Sequence, residues 1–236
     1  MRFPANRSVG CVVVAAGSGE RVGADRPKAL LEVGGRPLIV WAVERIAAAG
    51  LPPPVVVIPD GAADRFVAAL AGCEVAELVT GGATRTQSVR AGVAALRPGH
   101  AVVALHDAAR PLVPVDLVRD VVAAVVDDVL AAAPALMVAD TLKRVEEDRV
   151  AMTVDRDGLV TVQTPQVFRS DVLIDVLSRQ IDATDELRLV EEAIASGTWE
   201  GRVVVVPGSP FAAKVTFPDD LALLDRVALV AKEATP

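Results

Sequence analysis

The stretch Val12-Val13-Val14-Ala15-Ala16-Gly17-Ser18-Gly19-Glu20-Arg21, followed by Pro27-Lys28, decides how the rest of the chain is read. A β-branched apolar run of this kind is a strand buried on both faces. It delivers the backbone to a loop of small residues spaced by glycine. Such a loop lets main-chain N–H groups approach a polyphosphate closely, and the cations Arg21 and Lys28 stand ready to neutralise it. The loop is not a Walker A motif, because no Gly-Lys-Ser/Thr follows its glycines. Gly17, Gly19 and Gly23 give G-x-G-x-x-x-G, too long for the dinucleotide fingerprint. The competing reading is a tight turn flanked by solvated surface cations.

Working outward, apolar bursts alternate with helical patterns. Strands are expected at Val9 to Ala15, Pro54 to Ile58, Val75 to Val79 and Ala101 to Leu105. Helices are expected at Pro37 to Ala49, Ala62 to Ala71, Arg85 to Leu96 and Pro114 to Val126, with Pro before the first and Gly50 after it. This alternation predicts βαβ units around a mostly parallel sheet in an α/β fold. The pattern changes between 139 and 162. Thr141 to Val145 and Val150 to Val154 read as thin strands around Glu146-Glu147-Asp148. Such a pair cannot bury itself alone. It is either an exposed hairpin on the rim of the sheet or an arm that packs on another subunit. Two helices (Ser170 to Ile181, Asp185 to Ser196), a strand (Val203 to Val206) and a closing helix (Pro218 to Ala231) complete the reading. The whole, 1–236, is expected to form one domain with an arm at about 139–162.

Composition narrows the function classes. A net charge of −7, with no basic stripe or aromatic platform, argues against a nucleic-acid partner. It leaves room for a local cationic pocket. The two cysteines form neither a disulfide framework nor a metal spacing, which fits a reduced, cytoplasmic setting. No apolar run is long enough for a membrane span, and the first residues lack the apolar core of a signal peptide.

Two further clusters follow strands. Leu105-His106-Asp107-Ala108-Ala109-Arg110-Pro111 stands at the end of the fourth expected strand. There Asp107 is either a one-carboxylate ligand for a hard divalent cation or a helix N-cap. His106 is either a general base or a hydrogen-bonded structural residue. Thr80-Gly81-Gly82-Ala83-Thr84-Arg85-Thr86-Gln87-Ser88 opens a helix, with Thr84 as its cap or the loop as a base reader. Three clusters at three strand ends converge on one edge of one sheet.

These clusters, with Asp140-Thr141-Leu142-Lys143, Thr153 to Leu159, Gln163-Thr164-Pro165-Gln166, Thr184-Asp185-Glu186 and Lys214-Val215-Thr216, resemble the 2-C-methyl-D-erythritol 4-phosphate cytidylyltransferases from about Val9 to Leu224. The resemblance implies a Rossmann-like, three-layer nucleotidyltransferase sheet with a projecting β-hairpin arm that interlocks a homodimer. It implies transfer of a cytidylyl group from CTP to a small polyol phosphate, release of pyrophosphate, and a requirement for Mg2+. By this resemblance Arg21 and Lys28 would stabilise the transition state. Ala15, Ala16, Gly17, Ser18 and Gly19 would line the nucleotide, and Gly81, Gly82 and Ser88 would read cytosine. Asp107 would bind the metal or the polyol, with Arg110 beside it. Thr141 and Arg156 would reach the substrate phosphate from a partner's arm. Thr164 and Thr184 would add polar contacts, and Lys214 would position the attacking phosphate. The chain departs from the commonest pattern at Ala29, Ala83, Leu187-Arg188 and Ala212-Ala213. The last two pairs flank the expected polyol pocket, which keeps ribitol 5-phosphate as an alternative acceptor. An NAD-linked dehydrogenase and a catalytically silent nucleotide-binding scaffold are the rival classes. The loop spacing opposes the first, and the set Arg21, Lys28, Arg156 and Lys214 opposes the second.

Overall fold

The opening apolar run folds as strand β1, Val9–Val14, and its alternation divides between two faces. Cys11 and Val13 enter one core cluster, and Val12 enters another. A strand buried on both sides needs helices above and below it, and that requirement sets the architecture. The computed structural model describes residues 8–19, 23, 26–179 and 181–233.

After a two-residue hairpin, β2 (Glu32–Val33) and β3 (Arg36–Pro37), the chain alternates as its periodicity predicts. The elements are α1 (Leu38–Ala48), β4 (Val55–Ile58), α2 (Ala63–Ala69), β5 (Glu77–Thr80), α3 (Arg85–Ala94), β6 (Val102–Asp107) and α4 (Val115–Ala124). There follow β7 (Val129–Met137), β8 (Leu142–Glu146), β9 (Arg149–Val154), β10 (Val160–Val162), β11 (Gln166–Arg169), α5 (Ser170–Ser178), α6 (Glu186–Ala195), β12 (Arg202–Pro207) and α7 (Pro218–Glu233). The main sheet runs β7-β11-β6-β1-β4-β5, with β12 on the outer side of β7 and β10 continuing the line of β11. β4, β5, β6 and β1 pair in parallel, as does β12 with β7, while β10 and β11 run against their neighbours. Helices α1, α2 and α4 pack on one face through Ile39, Val43, Ile46, Phe66 and Val118. Helices α3, α5 and α6 pack on the other through Val89, Leu173, Val176 and Val190. A third cluster, with Val33, Leu38, Trp41, Val215 and Leu224, seals α7 against α1 and the β2–β3 hairpin.

Strands β7, β10 and β11 and the short β2–β3 hairpin are not predicted by periodicity, and β7 is the longest of them. Its sequence, VLAAAPALM, is rich in alanine and carries Pro134, both unfavourable in strands. Burial and neighbours on both edges override that preference. The missing N–H of Pro134 is harmless for a local reason. Its carbonyl accepts from Gln163 N–H at 2.7 Å, so its nitrogen faces the same edge. There Gln163–Pro165 already interrupts the line between β10 and β11: Val162 pairs with Ala135, but Val167 pairs with Ala132. A proline inside a sheet is tolerated opposite such an irregularity.

The β8–β9 hairpin pairs only with itself among the described residues. It leaves Val145, Val150 and Met152 exposed.

Helix α3 lies close against the sheet because Gly92 has no side chain. A Cβ there stands 2.5 Å from Val12 Cγ1 and 2.7 Å from Val57 Cγ2. Gly92→Ala gains about 1 kcal/mol of helix propensity but meets an overpacking cost of about 1–3 kcal/mol, at the upper end for contacts this short. Net destabilisation of roughly 1–2 kcal/mol is expected. A denaturation midpoint equal to or above that of the unmodified protein contradicts this packing.

Candidate active site

Three loops leave the sheet along one rim, after β1, β5 and β6. From β1 the chain moves to β4 and β5 on one side and returns at β6 on the other. Ligands in open α/β sheets sit at such a reversal, beyond the carboxyl ends of the strands. Here it opens into a cavity of about 460 Å³.

One wall is the loop after β1. Ala15 N–H donates to Val57 O at 2.8 Å, which anchors the loop's start. Lys28 N–H donates to Gly17 O at 3.3 Å, folding Pro27-Lys28 back over the glycines. Gly19 permits this with φ at 83° and lies buried beneath Lys28. Ala15, Ala16, Gly17, Ser18 and Lys28 all line the cavity. Arg21, the other cation expected here, lies outside the described residues.

The second wall is the start of α3. Thr84 caps the helix, its hydroxyl accepting from Gln87 N–H at 3.2 Å, while Gln87 Oε1 accepts from Ala83 N–H at 3.0 Å. This is a reciprocal cap of the Thr-x-x-Gln type, shifted by one residue. Gly82 N–H donates to Ser88 Oγ at 3.2 Å, and Gly81 N–H to Ile58 O at 2.8 Å. Three successive N–H groups are thus satisfied within the protein. Gly82 and Ser88 line the cavity. Gly81 lies behind them, where a Cβ comes within 2.7 Å of Ala16 Cβ and Ser88 Oγ. Thr84 is therefore the helix cap and also part of the cavity wall.

The third wall centres on Asp107, the last residue of β6. Its Oδ1 accepts from Arg85 Nε and Nη2 at 3.3 and 3.1 Å, and its Oδ2 from Lys214 Nζ at 2.7 Å. Burial pushes this carboxyl up, but Arg85 and Lys214 outweigh burial and hold it well below the usual carboxylate range. Asp107 is therefore a counter-ion to two cations and not a helix cap. The described residues contain no group of three or more His, Cys, Asp or Glu able to hold a metal. Among the described residues no multi-residue metal site is built, and Asp107 stands at the cavity as a single carboxylate shared by Arg85 and Lys214.

Arg85 and its partner Glu186 are residues that sequence reasoning missed. Besides Asp107, the Arg85 guanidinium grips Glu186 at the start of α6. The available signal was an arginine directly after a helix cap, at the sheet rim, with an acid in the first turn of a later apolar helix.

His106 is structural. Its Nε2 lies 3.2 Å from Arg110 O, a pure acceptor, so Nε2 carries the proton. Nδ1 then accepts from Thr164 Oγ1 at 3.1 Å, and Thr164 Oγ1 accepts from Asp107 N–H at 3.0 Å. Thr164 is thus buried behind Asp107 instead of facing the cavity, contrary to its expected substrate contact. Arg110 is likewise turned away. Its guanidinium donates to Ala212 O at 2.7 Å and Val162 O at 3.3 Å, stapling the rim to the segment before Lys214. Thr184 is exposed on the segment before α6, and Thr141 and Arg156 are exposed on the arm. Arg156 donates to Ala139 O. The departures near the expected polyol pocket are packing features. Leu187 is in the core, Arg188 pairs with Glu192, and Ala212 is the buried acceptor for Arg110.

Burial of His106 fixes the sign of one pH dependence. Desolvation lowers its pKa from 6.5 to about 4. The unfolded chain binds the proton more readily, so stability is complete above pH 6.5 and falls as the pH drops towards 4. The loss is about 3 kcal/mol over that window. Asp107, with its depressed pKa, adds a loss only below about pH 4. His106→Asn is expected to show a smaller loss of stability between about pH 6.5 and 4.5 than the unmodified protein. Equal losses in urea titrations at the two pH values contradict the assignment.

The match to known proteins agrees with this geometry. Residues 9–228 fit the family model described as 2-C-methyl-D-erythritol 4-phosphate cytidylyltransferase. A relative of that name from Frankia casuarinae is 44% identical, covering 95% of this chain and 83% of the relative. One from Streptomyces avermitilis is 42% identical, covering 95% and 93%. The crystal structure of the enzyme of that name from Thermus thermophilus superposes with a TM-score of 0.77 at 32% identity, covering 95% of this chain and all of that one. The chain belongs to the 2-C-methyl-D-erythritol 4-phosphate cytidylyltransferase family.

Proposed function

We propose that the rim cavity is where this enzyme joins CTP to 2-C-methyl-D-erythritol 4-phosphate, with its own residues in the following roles. An oxygen of the polyol's phosphate attacks the α-phosphorus of CTP. The bond from that phosphorus to the bridging oxygen breaks, and pyrophosphate leaves. The attacking phosphate has a second pKa near about 6, so near neutral pH it is largely dianionic and needs no general base. The obstacle is repulsion between two anions and the charge that grows on the leaving group. Fixed cations and oriented N–H groups are the remedy. The observation that carries the reading is one cavity lined by a glycine loop, Lys28, Arg85 and Lys214.

In this reading the loop from Ala15 to Gly19 cradles the triphosphate, and Lys28, with Arg21, stabilises charge on it. The carbonyls of residues 81–83 accept from the exocyclic amine of cytosine. Lys214 meets the attacking phosphate. A Mg2+ ion accompanying CTP would add neutralisation of the triphosphate, and Asp107, the carboxylate on the cavity wall, would be its protein ligand, in keeping with the sparse protein ligation that Mg2+ tolerates. The β8–β9 arm, with its exposed Val145, Val150 and Met152, packs on a second copy, and Thr141 and Arg156 reach the partner's polyol phosphate. The two free cysteines suit a cytoplasmic enzyme. Among the described residues, no helix is long and apolar enough to cross a membrane.

Pyrophosphate release, measured with each of the four nucleoside triphosphates against both 2-C-methyl-D-erythritol 4-phosphate and ribitol 5-phosphate, tests the reading. The first acceptor with CTP is expected to be fastest. Faster turnover with ribitol 5-phosphate, or with another nucleotide, overturns it. Lys28→Ala is expected to lower kcat by about 10²–10³, the usual cost of removing one charge-stabilising donor, with a smaller change in the KM for CTP. Deleting residues 140–156 is expected to convert a dimer in sedimentation runs into an inactive monomer. An active monomer removes the arm from the mechanism.

A further inference from the structure

Glu186 is a buried carboxylate that the mechanism above does not use. Its side chain is 0% exposed, and its Oε1 has no hydrogen-bond partner among the described residues. An incompletely satisfied buried anion is costly to hold. The α6 N-terminus, capped by Asp185, eases that cost without removing it. What Glu186 gains in return is Arg85, whose Nη1 donates to its Oε2.

The geometry at the far end of Arg85 shows the consequence. A guanidinium free to choose forks across both oxygens of a carboxylate. Here Nε and Nη2 both fall on Asp107 Oδ1, at 3.3 and 3.1 Å. Oδ2 is left to Lys214 at 2.7 Å. Four alternating charges therefore run from the interior to the cavity: Glu186, Arg85, Asp107 and Lys214. The segment carrying Glu186 is fixed to α3 by independent bonds. Thr84 Oγ1 donates to Asp182 Oδ1 at 2.9 Å, Thr86 Oγ1 and the backbone of Ala183 bond in both directions at 3.1 Å, and Arg90 donates to Ile181 O at 2.9 Å. Glu186 is thus held at a set distance from the helix that bears Arg85.

We infer that Glu186 is a positioning residue, which restrains Arg85 to one oxygen of Asp107 so that the other oxygen holds Lys214 on the cavity wall. Without that restraint Arg85 forks across Asp107 and evicts Lys214. The inference rests on Asp107 and Lys214 belonging to the substrate site. Turnover by the unmodified enzyme tests that reading, and variants of Glu186 test this one.

Glu186→Gln keeps the shape and one acceptor but removes the charge. With its melting temperature close to that of the unmodified enzyme, it is expected to lose at least tenfold in kcat with the polyol phosphate. Its KM for CTP is expected to change less than threefold, because the nucleotide loop is untouched. In an Arg85→Lys background, which cannot fork, adding Glu186→Gln is expected to change kcat less than threefold. Should Glu186→Gln not fold, Glu186→Asp, which withdraws the charge by one methylene, is put through the same comparisons. An unchanged kcat, a loss confined to the KM for CTP, or losses that multiply in the double variant overturns the inference.

Discussion

Asp107 ends a fully buried strand with its carboxylate shared between Arg85 and Lys214. The start of α3, the end of β6 and the segment carrying Lys214 meet at this carboxylate. Arg85 belongs to the helix behind the nucleotide loop, Asp107 to the central strand, and Lys214 to the segment that returns from β12. Removing one member of a buried pair leaves a desolvated charge uncompensated, at a cost of about 3–5 kcal/mol. The arrangement is therefore strongly sensitive to loss of any one member. It holds two cations at fixed places before a substrate arrives, which is the condition for electrostatic catalysis without reorganisation.

Much of the surrounding structure serves to bring the far end of the chain back to this point. Val215 N–H donates to Ala109 O at 2.8 Å, beside the place where Lys214 reaches Asp107. Arg110 holds Ala212 from the other direction. Asp220, in the first turn of α7, accepts from the N–H groups of Thr216 and Phe217 at 2.6 and 2.8 Å. Val215 itself is buried in the cluster that joins α7 to α1. The position of one lysine therefore depends on core packing some distance from the cavity. His106 and Thr164 do the same for Asp107 from beneath, fixing its main chain through a complete set of hydrogen bonds.

The parts of the fold that periodicity dictates were legible in the chain. The β-branched runs at Val12, Val55 and Val102 are strands, and the helices between them begin and end within a few residues of their expected bounds. Strand β7 was not legible, because alanine and proline argue locally against a strand and only the neighbours on both edges make it one. The same division holds in the site. The loop after β1 was readable as part of the rim cavity because a backbone that turns tightly at a strand end needs small residues in a fixed order. Arg110 lies beside Asp107 as expected, but the burial of Thr164 behind Asp107 was not foreseen, because sequence shows which residues accompany a site, not which way their side chains turn. Arg85 and Glu186 stayed hidden for a related reason. An arginine in a first helical turn and a glutamate at another helix's start both look like ordinary surface residues. Only the close packing of α3 against the segment before α6 makes them partners.

The charge count of the network says what it is for. Arg85 and Lys214 are matched by Asp107 and Glu186, so the four groups together carry no net charge. In the reaction proposed for this cavity, their contribution is therefore geometry more than bulk attraction. A mobile ammonium near a phosphate helps the ground state and the transition state alike, and uniform binding of that kind does not raise kcat. An ammonium held by a carboxylate that is itself held can be aimed at the place where charge develops. On this argument the acids of the rim matter as much as its bases. The neutral, hydrogen-bonded His106 beneath them keeps Asp107 in place without adding a proton that would compete with its partners.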